Sequence, residues 1–333
     1  MDRFLKAAFL FSLLAFTVVF SLKFVLSKEN SRIEVIGKEE SSRSFSIPDF
    51  VFGGDLSEAS SLKEEVEENE ISAYLNLYET FPGEMLILKI ENAQDAVVET
   101  SLAERINLYP DEKGNLNGLI PVKYDKLPGD YDIKVTSGDF SRSLKVRIEP
   151  RDFHRTSIEV SSETAEDTIE NQKANAEYHE KVQSLKGQNE SKPLWEGKFK
   201  KPLEEYRLTS DFGEIRTVNG KESGRHGGID MAAPIGTPVY APADGKVIFS
   251  DFITLTGNTL MIEHGMGLKT LYYHMDTLDV RAGDPVEEGS LLGKVGTTGF
   301  STGPHLHFAV AVENIYVDPW SFFENDYRSF IEG

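Results

Sequence analysis

The chain has 333 residues, which suits two folded domains better than one. Its composition, 39% hydrophobic and 27% charged, is that of a folded protein, and its formal net charge of −20 argues against nucleic acid as a partner, because phosphate backbones need clustered Lys and Arg. Cysteine is absent, so disulfides, thiolate metal sites, a cysteine nucleophile and a lipidated-cysteine anchor are all ruled out.

Arg3 and Lys6 precede an apolar run over residues 7–22, which resumes after Lys23 as Phe24, Val25 and Leu26. Taken over residues 7–26, the run approaches the ~20 residues of a membrane-spanning helix. Ended at Leu22, it suits a signal-peptide core with cleavage after Ser27. Residues 1–27 are therefore expected to be a signal anchor or a signal peptide, and the anchor reading is preferred. Either one places the remainder outside the cytoplasm. Residues 28–70 read as an acidic polar linker, with Glu64, Glu65, Glu67, Glu68 and Glu70 clustered at its end.

Over residues 71–150, short β-like runs alternate with turn signals. They are AYLNLY (73–78), MLILKI (85–90), LIPVKY (119–124), YDIKV (131–135) and LKVRI (144–148). Turns are expected at Pro82-Gly83, Lys113-Gly114 and Pro128-Gly129. Strands at this spacing predict a small β-sandwich, and LPGDYDIKV (127–135) resembles a late strand of immunoglobulin-like modules. The module carries no catalytic constellation and reads as a spacer or binding domain. Residues 151–201 read as a helical linker. Residues 164–185 hold Ala, Glu, Gln and Lys without Gly or Pro, and residues 187–201 look like a hinge. His154 and His179 lie here without ligand-spaced neighbours and read as surface or packing residues.

Residues 202–333 are β-patterned and rich in Gly. Strands are expected at PVYA (238–241), KVIF (246–249), TLMIE (259–263), LYYH (271–274) and HLHFAVAV (305–312). Five of the seven histidines fall in this stretch. His226 and Asp230 lie four residues apart in a Gly-flanked segment. His305 and His307 open an alternating strand, where positions i and i+2 share a face. Two imidazoles and a carboxylate form a nitrogen/oxygen set suited to Zn²⁺ with one position left open, the pattern of a catalytic site.

The surrounding motifs resemble peptidase family M23, the lysostaphin and LytM type. They are GRHGGIDMAAPIGTPVYAPADGKV (224–247), TLYYHM (270–275) and GFSTGPHLHF (299–308), with LTSDFG (208–213) before them and VDP (317–319) after. The resemblance covers residues 202–320. It implies metal ligands at His226, Asp230 and His307 and non-ligand catalytic histidines at His274 and His305. The division of labour between those two stays open. It also implies a zinc endopeptidase that hydrolyses peptide cross-links of bacterial peptidoglycan through a metal-bound water. The whole chain is then mainly β: anchor or signal helix, immunoglobulin-like sandwich, helical linker and a C-terminal all-β M23-type domain. The expected setting is extracytoplasmic, with the cytoplasmic membrane touched through residues 7–26.

Two features qualify the resemblance. The family often has Glu where this chain has Ala309, on the strand face of His305 and His307. His264 is a fifth histidine, read as structural or as support for a ligand. The alternatives are a non-catalytic LytM-type regulator that activates a cell-wall amidase, and a structural envelope protein. A regulator would show gaps in the constellation, whereas all five positions are filled here.

Overall fold

The computed structural model describes residues 70–333 apart from 159–171, 184, 186–188 and 219. The N-terminal helix and the acidic linker expected from the sequence lie outside the described residues, apart from Glu70. Among the described residues, no helix is long and apolar enough to cross a membrane.

The first eight strands are β1 (Ser72–Leu75), β2 (Glu79–Thr80), β3 (Met85–Glu91), β4 (Val97–Thr100), β5 (Leu108–Pro110), β6 (Leu116–Pro121), β7 (Gly129–Ser137) and β8 (Phe140–Ile148). They form two four-stranded sheets, ordered β1-β3-β6-β5 and β2-β8-β7-β4. Leu86, Leu88 and Ile90 of β3 meet Ile133, Val135, Leu144 and Val146 of the other sheet in one core. The opposite face of β3 sends Met85 and Ile87 into the core of the C-terminal half. That double burial explains why MLILKI has no polar alternation. Lys89 shares this second face and is fully buried, donating from Nζ to the carbonyl of Ile331 at 3.2 Å.

Beyond the sandwich come β9 (Arg155–Ile158) and α1 (Gln172–Tyr178), which continues as a wider π turn over His179–Gln183. The chain then forms β10 (Arg207–Ser210), β11 (Ile215–Val218), β12 (Lys221–Arg225), β13 (Ile229–Ala232), β14 (Pro238–Tyr240), β15 (Gly245–Ile253), β16 (Gly257–Gly265), β17 (Leu268–Met275), β18 (Thr277–Leu278), β19 (Pro285–Val286), β20 (Leu291–Lys294), β21 (His305–Val312) and β22 (Ile315–Val317). Two short helices, α2 (Pro319–Glu324) and α3 (Tyr327–Glu332), follow. The central sheet runs β10-β13-β21-β17-β16-β15-β19, with β22 beside β21. One face, through Leu306, Phe308 and Val310, builds the main core. The other carries His305, His307, Ala309 and Ala311.

The stretch that reads as a hinge packs firmly instead. Trp195 is 1% exposed and Phe199 is also buried, and the amide of Leu194 donates to the carbonyl of His264 at 2.7 Å. Two buried aromatics outweigh the flexible-looking Gly and Lys around them. Residues 189 and 190 dock too. Asn189 Oδ1 accepts from Lys269 Nζ at 2.7 Å, and Lys269 also pairs with Glu263 at 2.8 Å, both side chains almost fully buried.

The sandwich meets the C-terminal half through Arg151, which pairs with both Glu84 and Asp318. Burial first, then the Asp318 charge, pushes the Glu84 carboxyl from 4.5 up to about 7, against the pull of Arg151. The folded state therefore keeps a proton that the unfolded chain has already released. Stability must fall as pH rises from about 4.5 to about 7, by no more than about 3 kcal/mol. Thermal melts of wild type and Glu84→Gln should diverge with pH: the variant gains at pH 8 relative to wild type and shows little difference at pH 5. A wild-type advantage at pH 8 would contradict the burial argument.

Candidate active site

Register places the first pair of residues. In the β13–β21 ladder Asp230 lies directly opposite His307, and Ala232 lies opposite His305. Directly paired residues project from the same face, so the carboxylate and the imidazole meet. His226 arrives just after β12, across Gly227 and Gly228. A Cβ at Gly228 would stand 2.3 Å from the carbonyl oxygen of Phe308, and one at Gly227 3.0 Å from the Tyr316 ring. Only glycines let this segment lie flat against β21 and β22.

The three side chains converge tightly. His226 Nε2 lies 2.9 Å from Asp230 Oδ1 and 3.0 Å from His307 Nδ1, and His307 Nδ1 lies 2.8 Å from Asp230 Oδ1. Their candidate ligand atoms all fall within 4.8 Å of one another. His226 Nδ1 donates to the backbone carbonyl of Asp211 at 2.9 Å. A neutral His226 therefore turns its lone pair at Nε2 toward the other two. Burial pushes His307 down to about 4, so that ring is neutral at pH 7. Burial also opposes charge on Asp230, but the two imidazoles outweigh it and hold the carboxyl well below the usual carboxylate range. Two ring nitrogens and a carboxylate oxygen at these distances repel through their lone pairs unless a proton or a cation sits among them. The group fits a metal ion: two nitrogens and one oxygen, convergent, three-fold and without thiolate.

Support for this group comes from Thr209 and Asp211 of the LTSDFG segment and from Arg216 and Trp320, which no quoted motif contains. Arg216 on β11 donates from Nη2 to Asp230 Oδ2 at 3.2 Å, and Thr209 Oγ1 donates to the Asp230 carbonyl at 3.1 Å. Asp211, whose carbonyl holds His226, accepts from Trp320 Nε1 at 2.8 Å. The parallel pairing of β9 with β11 braces the strand that carries Arg216.

His274 and His305 flank the group, with ring centroids 4.8 Å apart. His274 has φ 64°, the left-handed region that non-glycine residues seldom occupy. Tyr273 lies opposite His307, so a regular strand would send His274 to the far face. The left-handed turn swings its ring back toward His305. Strain of this kind collects at functional sites. Each ring donates from Nδ1 to a carbonyl, His274 to Thr298 at 2.9 Å and His305 to Gly303 at 2.8 Å. Both therefore present Nε2 as an acceptor when neutral. His305 Nε2 is 3.8 Å from Asp230 Oδ1. Burial lowers His274 to about 4. Tyr273 stacks on His307, with centroids 5.0 Å apart and planes within 3°.

The remaining histidines stand apart. His264 is fully buried, with Nδ1 donating to the Asp244 carbonyl at 2.7 Å and Nε2 accepting from Thr270 Oγ1 at 2.8 Å. Both nitrogens are used in packing. Ala309 is buried, where a longer acidic side chain would meet the surroundings of Gly228.

Residues 224–319 match the family model of peptidase family M23. That segment of the chain is a peptidase family M23 domain. A peptidoglycan DD-endopeptidase, ShyB of Vibrio cholerae, is 48% identical over 114 residues, covering 34% of this chain and 26% of that protein. An uncharacterized metalloprotease of Buchnera aphidicola is 37% identical over 118 residues, 35% of this chain and 31% of that one. The chain thus matches a quarter to a third of the length of these curated relatives. A crystal structure from Pseudomonas aeruginosa described as a peptidase M23 shares the fold, with TM-score 0.53 and 24% identity, over 73% of this chain and 94% of that one.

Proposed function

We propose that this chain is a zinc-dependent endopeptidase that hydrolyses peptide cross-links of bacterial peptidoglycan. The observation that carries the reading is the His226, Asp230 and His307 convergence with two acceptor-poised imidazoles, His274 and His305, beside it. A bound Zn²⁺ would supply Lewis acidity, polarising a scissile carbonyl and acidifying water. The protein's share is to hold that centre and to move protons. Asp230 stays charged, steadied by Arg216. His274 and His305 each offer Nε2 to take a proton or, once protonated, to donate to a developing oxyanion. The M23 match over residues 224–319 and the peptidoglycan DD-endopeptidase named among the relatives support the substrate class.

The same reading puts the protein outside the cytoplasm, held at the membrane by residues 7–26. The 71–150 module is then an immunoglobulin-like spacer or binding domain. Its two-sheet core supports that, as does Tyr131, whose hydroxyl donates to the Leu127 carbonyl four residues upstream at 2.7 Å, the tyrosine-corner pattern.

The test is mass spectrometry of peptides released from purified peptidoglycan by the zinc-supplied chain. New amine and carboxyl ends within cross-links are expected. If no form of the chain that holds the metal releases any, the peptidase reading fails.

A further inference from the structure

His226 is held by the turn between β10 and β11, and that turn is held by residues upstream of it. The His226 ring donates from Nδ1 to the Asp211 carbonyl at 2.9 Å. Its amide donates to the Glu214 carbonyl at 2.9 Å, and its carbonyl accepts from the Gly213 amide at 2.9 Å. Residues 211–214 therefore fix both the backbone and the ring of this residue.

Phe212, within the turn, is 3% exposed. Its ring meets Tyr124 of the sandwich edge-on at 6.3 Å and Phe153 at 6.4 Å, and the Arg151 guanidinium stands 6.0 Å from its centroid. The fit leaves no room for a methyl group. A Cβ on Gly83 would stand 2.5 Å from the Phe212 ring, and one on Gly213 2.2 Å from the Phe153 ring. Glu214 is buried, and its carboxylate accepts from Thr156 Oγ1 and from the Asp211 amide, the latter at 3.3 Å. The Ile215 amide donates to the His154 carbonyl at 2.8 Å, where the β9–β11 pairing begins. Arg151 reaches the turn by a second route. It pairs with Asp318, which accepts from the Trp320 amide at 3.0 Å, and Trp320 Nε1 donates to Asp211 Oδ1 at 2.8 Å. Arg225, next to His226 in the chain, donates from Nη1 to the Tyr124 carbonyl at 3.4 Å and lies 5.6 Å from the Phe153 ring.

We propose that Phe153 and Thr156 are positioning residues for His226, acting through the 211–214 turn, so that the sandwich and residues 151–156 build the metal centre together with the M23 domain. The M23 match begins at residue 224, and the turn and its supports from Gly83 to Thr156 all precede it. Without that grip, His226 would be followed only by Gly227 and Gly228, which restrict the backbone little. Its ring would then sample orientations that turn Nε2 away from Asp230 and His307. A ligand that must be ordered on binding loses affinity for the ion.

The experiment uses the full chain with Phe153→Leu, which keeps bulk but loses the ring contacts, and Thr156→Val, which keeps shape but loses the hydroxyl donor. Val135→Ala is the control. Val135 lies in the separate sandwich core, and its truncation lowers stability by leaving a cavity there. Two measurements are made on each variant well below its melting temperature. The first needs no metal: exchange with water of the His226 Nδ1 proton in chelator-treated protein with isotope-labelled histidine, the signal being assigned by its loss in His226→Ala. Exchange should quicken on the order of tenfold in Phe153→Leu and Thr156→Val and stay near wild type in Val135→Ala. The second is zinc affinity by chelator competition. It should fall at least about tenfold in the two variants and stay within about twofold in Val135→Ala. Thr156→Ser, which returns the hydroxyl, should restore both. Only the zinc measurement rests on the peptidase reading. Wild type that takes up no zinc defeats that reading, while proton exchange still decides the positioning. Unchanged exchange in both Phe153→Leu and Thr156→Val, or an equal change in Val135→Ala, would overturn the proposal. Where wild type binds zinc, unchanged affinity in both variants overturns it as well.

Discussion

Replacing either His274 or His305 by Ala should lower hydrolysis at least about 100-fold while leaving metal content near wild type. Each ring is fixed by its own Nδ1–H to a backbone carbonyl, so neither depends on the metal for its orientation. Each leaves Nε2 outside those hydrogen bonds. The two changes should not be independent. The rings stand 4.8 Å apart, so the double variant should lose less than the product of the single losses. Metal content measured beside muropeptide release for both single variants decides the point. Should His274→Ala lose metal as completely as a ligand variant, it holds the ion and the proposed roles are exchanged. Should both single variants keep full hydrolysis, proton transfer lies elsewhere.

Where a feature is set by local pattern, the sequence was readable. The alternation in HLHFAVAV predicts the bounds of β21, because both faces of that strand are buried by different layers. The convergence of the candidate residues is legible in part for the same reason: the i and i+2 rule fixes His305 and His307 on one face, and one antiparallel register brings Asp230 opposite His307. What could not be read is set by tertiary contact. Nothing local marks His274 as left-handed. Arg216 has no motif of its own, and its meaning comes from the 3.2 Å contact with Asp230 Oδ2. The two aromatics that bolt residues 189–200 into the core sit among Gly and Lys that suggest flexibility. Helix propensity over residues 164–185 correctly marks Gln172–Tyr178 but says nothing of the π turn, nor of which sheet face receives Val182. Residues 164–171 lie outside the described residues.

Removing the His307 imidazole should strip the centre of its metal. His307→Ala takes away one of the two nitrogens and also the ring against which Tyr273 stacks, leaving one imidazole and one carboxylate for the ion. Purified wild type should hold about one zinc per chain, and His307→Ala should hold almost none after the same gentle purification. Asp230→Asn should weaken retention as well, since it removes the only charge in the set. Arg216→Gln should weaken it less, because the guanidinium acts on the far oxygen of that carboxylate. The order expected in chelator competition is therefore wild type, Arg216→Gln, Asp230→Asn, His307→Ala, from tightest to weakest. Zinc should also raise the melting temperature of wild type and leave that of His307→Ala unmoved, since only a folded site that binds the ion gains stability from it. Wild type that neither carries nor takes up zinc would remove the basis of the enzyme reading. Full zinc retention by His307→Ala would move the site away from β21, where the register of Asp230 against His307 argues that it belongs.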